Sequence, residues 1–254
     1  MHPKRRPPPG NIRIVQSISN NIRSLIVNKQ GNLVQAESFA ERILFLLLER
    51  DRRVRDYCSQ PAVAVVTWTD ADGVTHRYVP DAIAWYWGGQ VVVYEVTRSE
   101  RRDLEKAIAG RTLTSDQIAT LRKAVRHSRE REKEAGREYG KRGWGYVVLT
   151  EVTLPQATEV ANLFTLYRYR PTCHVDEGVA AVVMDRLAID SPCTLDALVT
   201  LAAHECGLPT PQSCAAVCHY LWRGDIAVDL RATLLFRDGD LVPHISVWLP
   251  EGQS

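Results

Sequence analysis

The chain has 254 residues, 45% hydrophobic and 24% charged, with 32 Lys and Arg against 30 Asp and Glu. That length allows one large domain or two modest ones, and the composition excludes a disordered chain, a collagen-like fibre and a disulfide-stapled mini-protein. The net charge of +2 conceals an asymmetry: residues 1–170 carry 28 basic and 19 acidic side chains (+9) and residues 171–254 carry 4 and 11 (−7), which reads either as two regions with different partners or as two solvated surfaces that merely differ.

The start, with Lys4, Arg5 and Arg6 followed by Pro7-Pro8-Pro9, lacks the apolar stretch of a signal peptide, so residues 1–24 read as a basic flexible arm. The longest apolar run, residues 43–48, is far short of the ~20 residues that cross a bilayer, so no membrane partner is expected. A cytoplasmic protein with reduced thiols follows as the expectation for its six cysteines. An amphipathic helix is expected over residues 36–50, with Phe39, Ile43, Leu46 and Leu47 at helical spacing. Three extended segments come next: residues 62–69, then the turn Asp70-Ala71-Asp72-Gly73, residues 74–87, then Gly88-Gly89, and residues 90–97. Residues 100–142 are charged and helical in character, with a break near 110–115, and residues 146–150 form a short apolar strand. The order helix–β–β–β–helix–β belongs to the α/β class.

A helix is expected through residues 162–170, and Pro171 opens the acidic half. There, residues 179–187, 194–206 and 211–222 read as three helices, with Thr194 as an N-cap and Gly207 and Gly224 where helix ends favour glycine. Residues 226–230 and 233–248, with an Asp238-Gly239 turn, read as a β-ribbon. Helices followed by a ribbon suggest a small winged-helix-like domain over residues 171–254. Its cluster His204-x-Cys206 and Cys214-x-x-x-Cys218-His219 has metal-binding residue types, yet lacks a Cys-x-x-Cys knuckle.

The sharpest chemical feature is acidic. Asp81 follows Pro80 in one extended segment, and Glu95 ends the run Val91-Val92-Val93-Tyr94 in the next. Carboxylates on neighbouring strands can converge on one hard cation, and Glu41 on the preceding helix can complete a Mg²⁺ (or Mn²⁺) site. In such a site the metal activates water and stabilises charge on a phosphate. The solvated or salt-bridged carboxylate is the competing reading of each acid.

The spacing Pro80-Asp81…Glu95-Val96-Thr97 resembles the PD-(D/E)xK nuclease signature, whose last position is normally lysine. The flanks resemble one family within it, the TnsA-type endonuclease subunit of heteromeric cut-and-paste transposons. Residues 28–42, Asn-Lys-Gln-Gly-Asn-Leu-Val-Gln-Ala-Glu-Ser-Phe-Ala-Glu-Arg, look like its entry into the catalytic helix, and Asp56-Tyr57-Cys58-Ser59-Gln60-Pro61 like its Gln-Pro step before the first strand. Arg77-Tyr78-Val79-Pro80-Asp81 matches its Tyr-x-Pro-Asp, residues 143–151 its final core strand, and Asn162-Leu163 with Tyr167-Arg168-Tyr169 the following helix.

The resemblance implies a restriction-endonuclease-like core (a mixed sheet flanked by helices) over residues 25–170, with Glu41, Asp81 and Glu95 as metal ligands. It also implies cleavage of the 5′ strands at transposon ends, alongside a partner transposase and an ATPase regulator that docks the C-terminal region. Thr97 departs from the pattern: it occupies the catalytic lysine's place and carries no positive charge. Arg77, Arg98 and Lys106 are the candidate substitutes. Lys123, Arg126, Arg129, Lys133 and Arg137 read either as a basic DNA-facing stripe, to which Lys4, Arg5 and Arg6 could add phosphate contacts, or as part of a solvated helix laced with Glu130, Glu132, Glu134 and Glu138. The acidic tail suits a protein partner better than DNA. Two alternatives to an active transposase subunit stand beside it: a catalytically impaired TnsA-like subunit bridging DNA and partners, and a stand-alone restriction or repair nuclease.

Overall fold

The structure, a computed structural model, describes residues 24–70, 73–170, 177–234 and 244–250. The chain divides into two compact units, Met1–Glu49 with Arg53–Leu154, and Arg50–Arg52 with Pro155–Ser254. Most of the N-terminal arm (1–23) and the Asp238-Gly239 turn lie outside the described residues.

The first unit opens with an antiparallel hairpin, β1 (Ser24–Val27) and β2 (Leu33–Ala36), followed by helix α1 (Phe39–Arg50). Phe39 is about half exposed, while Ile43, Leu44, Phe45, Leu46 and Leu48 are buried, so the apolar stripe is broader than the spacing of Phe39, Ile43, Leu46 and Leu47 suggests. Phe45 stacks on Tyr57 of β3 (Val54–Ser59) at 5.8 Å, which packs α1 against the sheet. Strand β3 runs through residues that the sequence leaves unassigned. A single 3₁₀ turn, Ala62–Ala64, and a separate two-stranded ribbon, β4 (Val66–Thr69) with β5 (Thr75–Tyr78), come next. The extended stretch 74–87 is thus two strands, divided at Pro80, because proline has no N–H to continue a ladder.

The central sheet has the order β3–β6–β7–β8, with β6 (Ala82–Tyr86), β7 (Val91–Val96) and β8 (Gly145–Leu149). The first three strands are antiparallel; β7 and β8 are parallel, linked through a 3₁₀ turn (Ser99–Arg101), α2 (Leu104–Ile108) and α3 (Ser115–Lys141). It is a mixed sheet flanked by helices. Thr114 starts α3 with a capping box, its side chain accepting from Gln117 N–H and the Gln117 side chain returning to Thr114 N–H. Along α3 the buried residues Val125, Ser128, Ala135 and Tyr139 make the inward stripe, and Ala135 and Tyr139 join Ile83 and Val93 in one apolar cluster. Tyr139 donates to the Ala64 carbonyl at 2.5 Å.

The second unit contains α4 (Ala157–Tyr167), α5 (Glu177–Ile189), α6 (Leu195–Cys206) and α7 (Thr210–Arg223). Helix α4 groups here, whereas the sequence reading assigns it to the first domain. The reason is Asn162: its buried amide donates to the carbonyls of Leu230 and Ala232 at 2.8 and 2.6 Å, and its oxygen accepts from Leu234 N–H at 3.2 Å. Thr194 caps α6 by accepting from Ala197 N–H, and Gly207 and Gly224 end α6 and α7 in the left-handed region (φ 63° and 72°). Strands β9 (Cys193–Thr194), β10 (Ala227–Val228) and β11 (Ser246–Trp248) form a small antiparallel sheet in the order β10–β11–β9. A third strand therefore joins the expected ribbon. Among the described residues no helix is long and apolar enough to cross a membrane.

Candidate functional site

The antiparallel register builds the centre of the site. Ala82 pairs with Tyr94 and Ile83 with Val93, so one further step sets Asp81 opposite Glu95. Side-chain alternation puts both on the face of Ile83 and Val93, where α3 packs. Glu41 arrives from the first turn of α1. The three acids meet electrostatically: Asp81 feels the charges of Glu95 and Glu41, and Glu41 that of Glu95.

Each carboxylate is positioned by named donors. Asp81 Oδ2 accepts from Val96 N–H at 2.6 Å, and its backbone carbonyl accepts from Gln60 N–H at 2.9 Å. Gln60, directly before Pro61, has φ 44°, a left-handed conformation of the kind that concentrates at functional sites. Glu95 Oε2 accepts from the Tyr78 hydroxyl at 2.5 Å, and Oε1 pairs with Arg131 Nη2 at 2.9 Å. Glu41 accepts from Glu37 N–H and the Ser38 hydroxyl, both at 2.9 Å, while Ser38 caps the helix by accepting from Glu41 N–H. Glu41 thus serves the helix start whatever else it does.

Burial dominates the electrostatics. Glu41 and Glu95 are buried; Asp81 is half-buried as a residue, with its carboxyl group enclosed by its neighbours. Desolvation raises all three acids above ordinary carboxylate values, well above in the case of Asp81; the charges of Glu95 and Glu41 add to the shift of Asp81 and that of Glu95 to the shift of Glu41, whereas a hydrogen bond shared with Asp81 lowers Glu95. Arg131 and the hydrogen bonds oppose the shift without cancelling it. Burial and the Glu95 charge likewise push the Tyr78 hydroxyl far up, so it stays a donor. An under-compensated cluster of carboxylate oxygens is the donor chemistry that hard divalent cations accept. Among the described residues, neither the acids nor the thiols already stand as three ligands around a common point. The acids fit a metal through their donor type and unmet charge, with their oxygens held meanwhile by protein donors.

Thr97 is buried beside them on the Glu95 side of its strand, and its hydroxyl has no hydrogen-bond partner. The expected lysine substitutes lie elsewhere. Arg77 is exposed beside the buried Tyr78, because the strand break at Pro80 ends the parity that would carry it to Asp81. Arg98 is exposed and 3.9 Å from Glu100, and Lys106 is exposed on α2, where its charge acts on Glu151. The cation actually present is Arg131, whose guanidinium also lies 5.3 Å from the centre of the Tyr78 ring. Sequence reasoning missed it among the mixed charges of α3.

No family model and no curated protein matches the chain.

On α3, Lys123, Arg126, Arg129, Lys133 and Arg137 are all exposed. Arg137 pairs with Glu134 and Glu138, and Arg129 Nε donates to the Arg102 carbonyl at 2.7 Å. Lys123, Arg126 and Lys133 enter none of the ion pairs among the described residues. The cysteine–histidine cluster of the second unit is not gathered. His204 is exposed beside Glu205, His219 Nδ1 lies 2.8 Å from the Tyr169 carbonyl, and the free thiols of Cys214 and Cys218 share a hydrogen bond one turn apart on α7.

Proposed function

We propose that the first unit is a divalent-metal-dependent DNA endonuclease with Glu41, Asp81 and Glu95 as its metal ligands. The observation that supports this reading is three enclosed carboxylates in one neighbourhood, Asp81 and Glu95 opposed across β6 and β7 and Glu41 near enough to act on Asp81 and to feel Glu95, all raised by burial that their surroundings do not offset. Carboxylates kept in that state cost stability, and sites are where such a cost is tolerated. The order α1, three antiparallel strands, helix and parallel strand, with β7 and β8 adjacent, supports a restriction-endonuclease-like core. The helices of the second unit with their three-stranded sheet support a winged-helix-like domain.

A Mg²⁺ or Mn²⁺ ion held by these acids would lower the pKa of bound water and neutralise charge on the scissile phosphate. The protein's own residues do the positioning. Val96 N–H and the strained Gln60 fix Asp81, the Tyr78 hydroxyl and Arg131 orient Glu95, and the Ser38 cap orients Glu41. Arg131 brings positive charge to the site that Thr97 cannot supply. The TnsA-type assignment belongs to the same proposal: cleavage of 5′ strands at transposon ends, a transposase partner and a regulator docked on the acidic second unit. A catalytically impaired bridging subunit is the second reading, favoured by Thr97 alone.

Nicking of supercoiled plasmid and of end-labelled duplex, with Mn²⁺ and with or without a transposase partner, tests the reading. Cleavage abolished by Asp81→Asn supports it; cleavage that survives this change refutes the site. Metal binding without cleavage, even with the partner, selects the bridging reading.

A further inference from the structure

The donors that hold the acid cluster are not all of one kind. The backbone N–H groups of Val96 and Glu37 and the hydroxyls of Ser38 and Tyr78 are neutral. A carboxylate oxygen that accepts one such bond keeps a lone pair for a cation. Arg131 carries a full charge and reaches Glu95 Oε1 through Nη2 at 2.9 Å. A guanidinium and a divalent cation on one carboxylate repel each other, so the two compete for Glu95. The grip of Arg131 is also incomplete. Nη2–Glu95 is its one hydrogen bond among the described residues, whereas the five N–H donors of a guanidinium can give two parallel bonds to a single anion. Its side chain is 25% exposed against 9% for that of Glu95, and its helix carries exposed Lys123, Arg126 and Lys133.

We propose that Arg131 is an exchangeable cation: it neutralises Glu95 while no metal is bound, and turns to a phosphate of the substrate strand once a metal takes that carboxylate. The inference rests on the nuclease reading and deepens it, because metal and DNA binding become mutually dependent through one side chain. Without metal, Arg131 offsets part of the repulsion among enclosed acids. With metal, the ion meets that charge, and the released guanidinium presents its planar fork to an anion. The coupling is reciprocal: duplex tightens metal binding by the factor by which metal tightens duplex binding.

The test is duplex binding to the full chain, followed by fluorescence anisotropy in EDTA and in Ca²⁺, a hard cation that takes the same oxygen ligands. The loss of affinity caused by Arg131→Gln is roughly tenfold or more greater in Ca²⁺ than in EDTA, the size of one charge-assisted phosphate contact. Calorimetry of Ca²⁺ without DNA shows tighter binding by Arg131→Gln than by wild type. The gain exceeds that of Arg102→Gln, which removes a cation held by Glu132, an acid whose charge also reaches Glu95. Arg131→Lys, with the charge but not the fork, falls between wild type and Arg131→Gln in both assays and carries the test if the Gln variant does not fold. Losses of equal size in EDTA and Ca²⁺ overturn the proposal, as does weaker Ca²⁺ binding by Arg131→Gln. Absence of Ca²⁺ and Mn²⁺ binding by the wild type removes the nuclease reading and the exchange with it; metal binding with equal losses removes the exchange alone.

Discussion

Asp81→Asn removes a carboxylate that its surroundings penalise, so the variant should be more stable than the wild type in the absence of metal. Asn keeps an oxygen for Val96 N–H, which now reaches Asp81 Oδ2 at 2.6 Å. At the roughly 5 Å separation of directly opposed strand residues and an effective dielectric near 20, the contact with Glu95 costs about 3 kcal/mol when both acids are ionised. Attraction to Arg131 and the charge-assisted bond from Val96 are lost with the charge. The balance is a stabilisation of about 1–3 kcal/mol, or roughly 2–10 °C in Tm for a domain of this size. Mn²⁺ should reverse the order, since a ligand at a hundred times its Kd stabilises by about 2.7 kcal/mol. Melting in EDTA and then in Mn²⁺ is the assay. Wild type should rise with metal and the variant should not. A variant that melts below the wild type in EDTA would refute the reasoning, because the carboxylate would then be a structural partner.

The same shifts set the pH dependence. Glu41, Asp81 and Glu95 are raised in the folded chain, so their contribution is fully present below the ordinary carboxylate range near 4 and is lost as pH rises through their folded values. Metal-free protein should therefore lose stability from that range upward through these groups, and the loss should shrink in Asp81→Asn; parallel pH–Tm curves would contradict it. Thr97→Lys replaces a partnerless buried hydroxyl with an ammonium among the acids, and plasmid nicking should rise on the order of tenfold to a hundredfold. No gain would show that Arg131 already fills the role. Replacing Lys123, Arg126 and Lys133 together by Ala should lower the slope of log K against log salt for duplex binding by about 2.7 if each meets one phosphate. An unchanged slope would remove this face of α3 from the interface.

What the sequence made legible follows from how strongly each feature is written locally. Asp81 and Glu95 flank continuous apolar runs that mark strands, whose side-chain alternation then sets their faces, and Glu41 stands three residues after Ser38, a spacing that also marks a helix start. Strand β3 was hidden because a buried strand can carry polar groups when neighbours satisfy them. Its Asp56 accepts from Asn28 Nδ2 at 2.8 Å and from Tyr57 N–H at 2.8 Å, so the alternation is lost. The basic residues 123, 126, 129, 133 and 137 do lie on the exposed face of α3, away from the stripe of Val125, Ser128, Ala135 and Tyr139. Arg131 sits at the edge of that stripe, and only packing against β7 decides that it turns toward Glu95. The short strand β9 has two residues and no periodicity to read. Asn162 looks like a helix-surface amide until the segment at 230–234 is in place to accept it.

Calorimetric titration of Mn²⁺ into the full chain is the most direct test of the metal site. Wild type should bind, Asp81→Asn and Glu95→Gln should each abolish binding, and Thr97→Ala should retain it. Binding of equal strength in the Asp81 and Glu95 variants, or none in the wild type, would contradict the account.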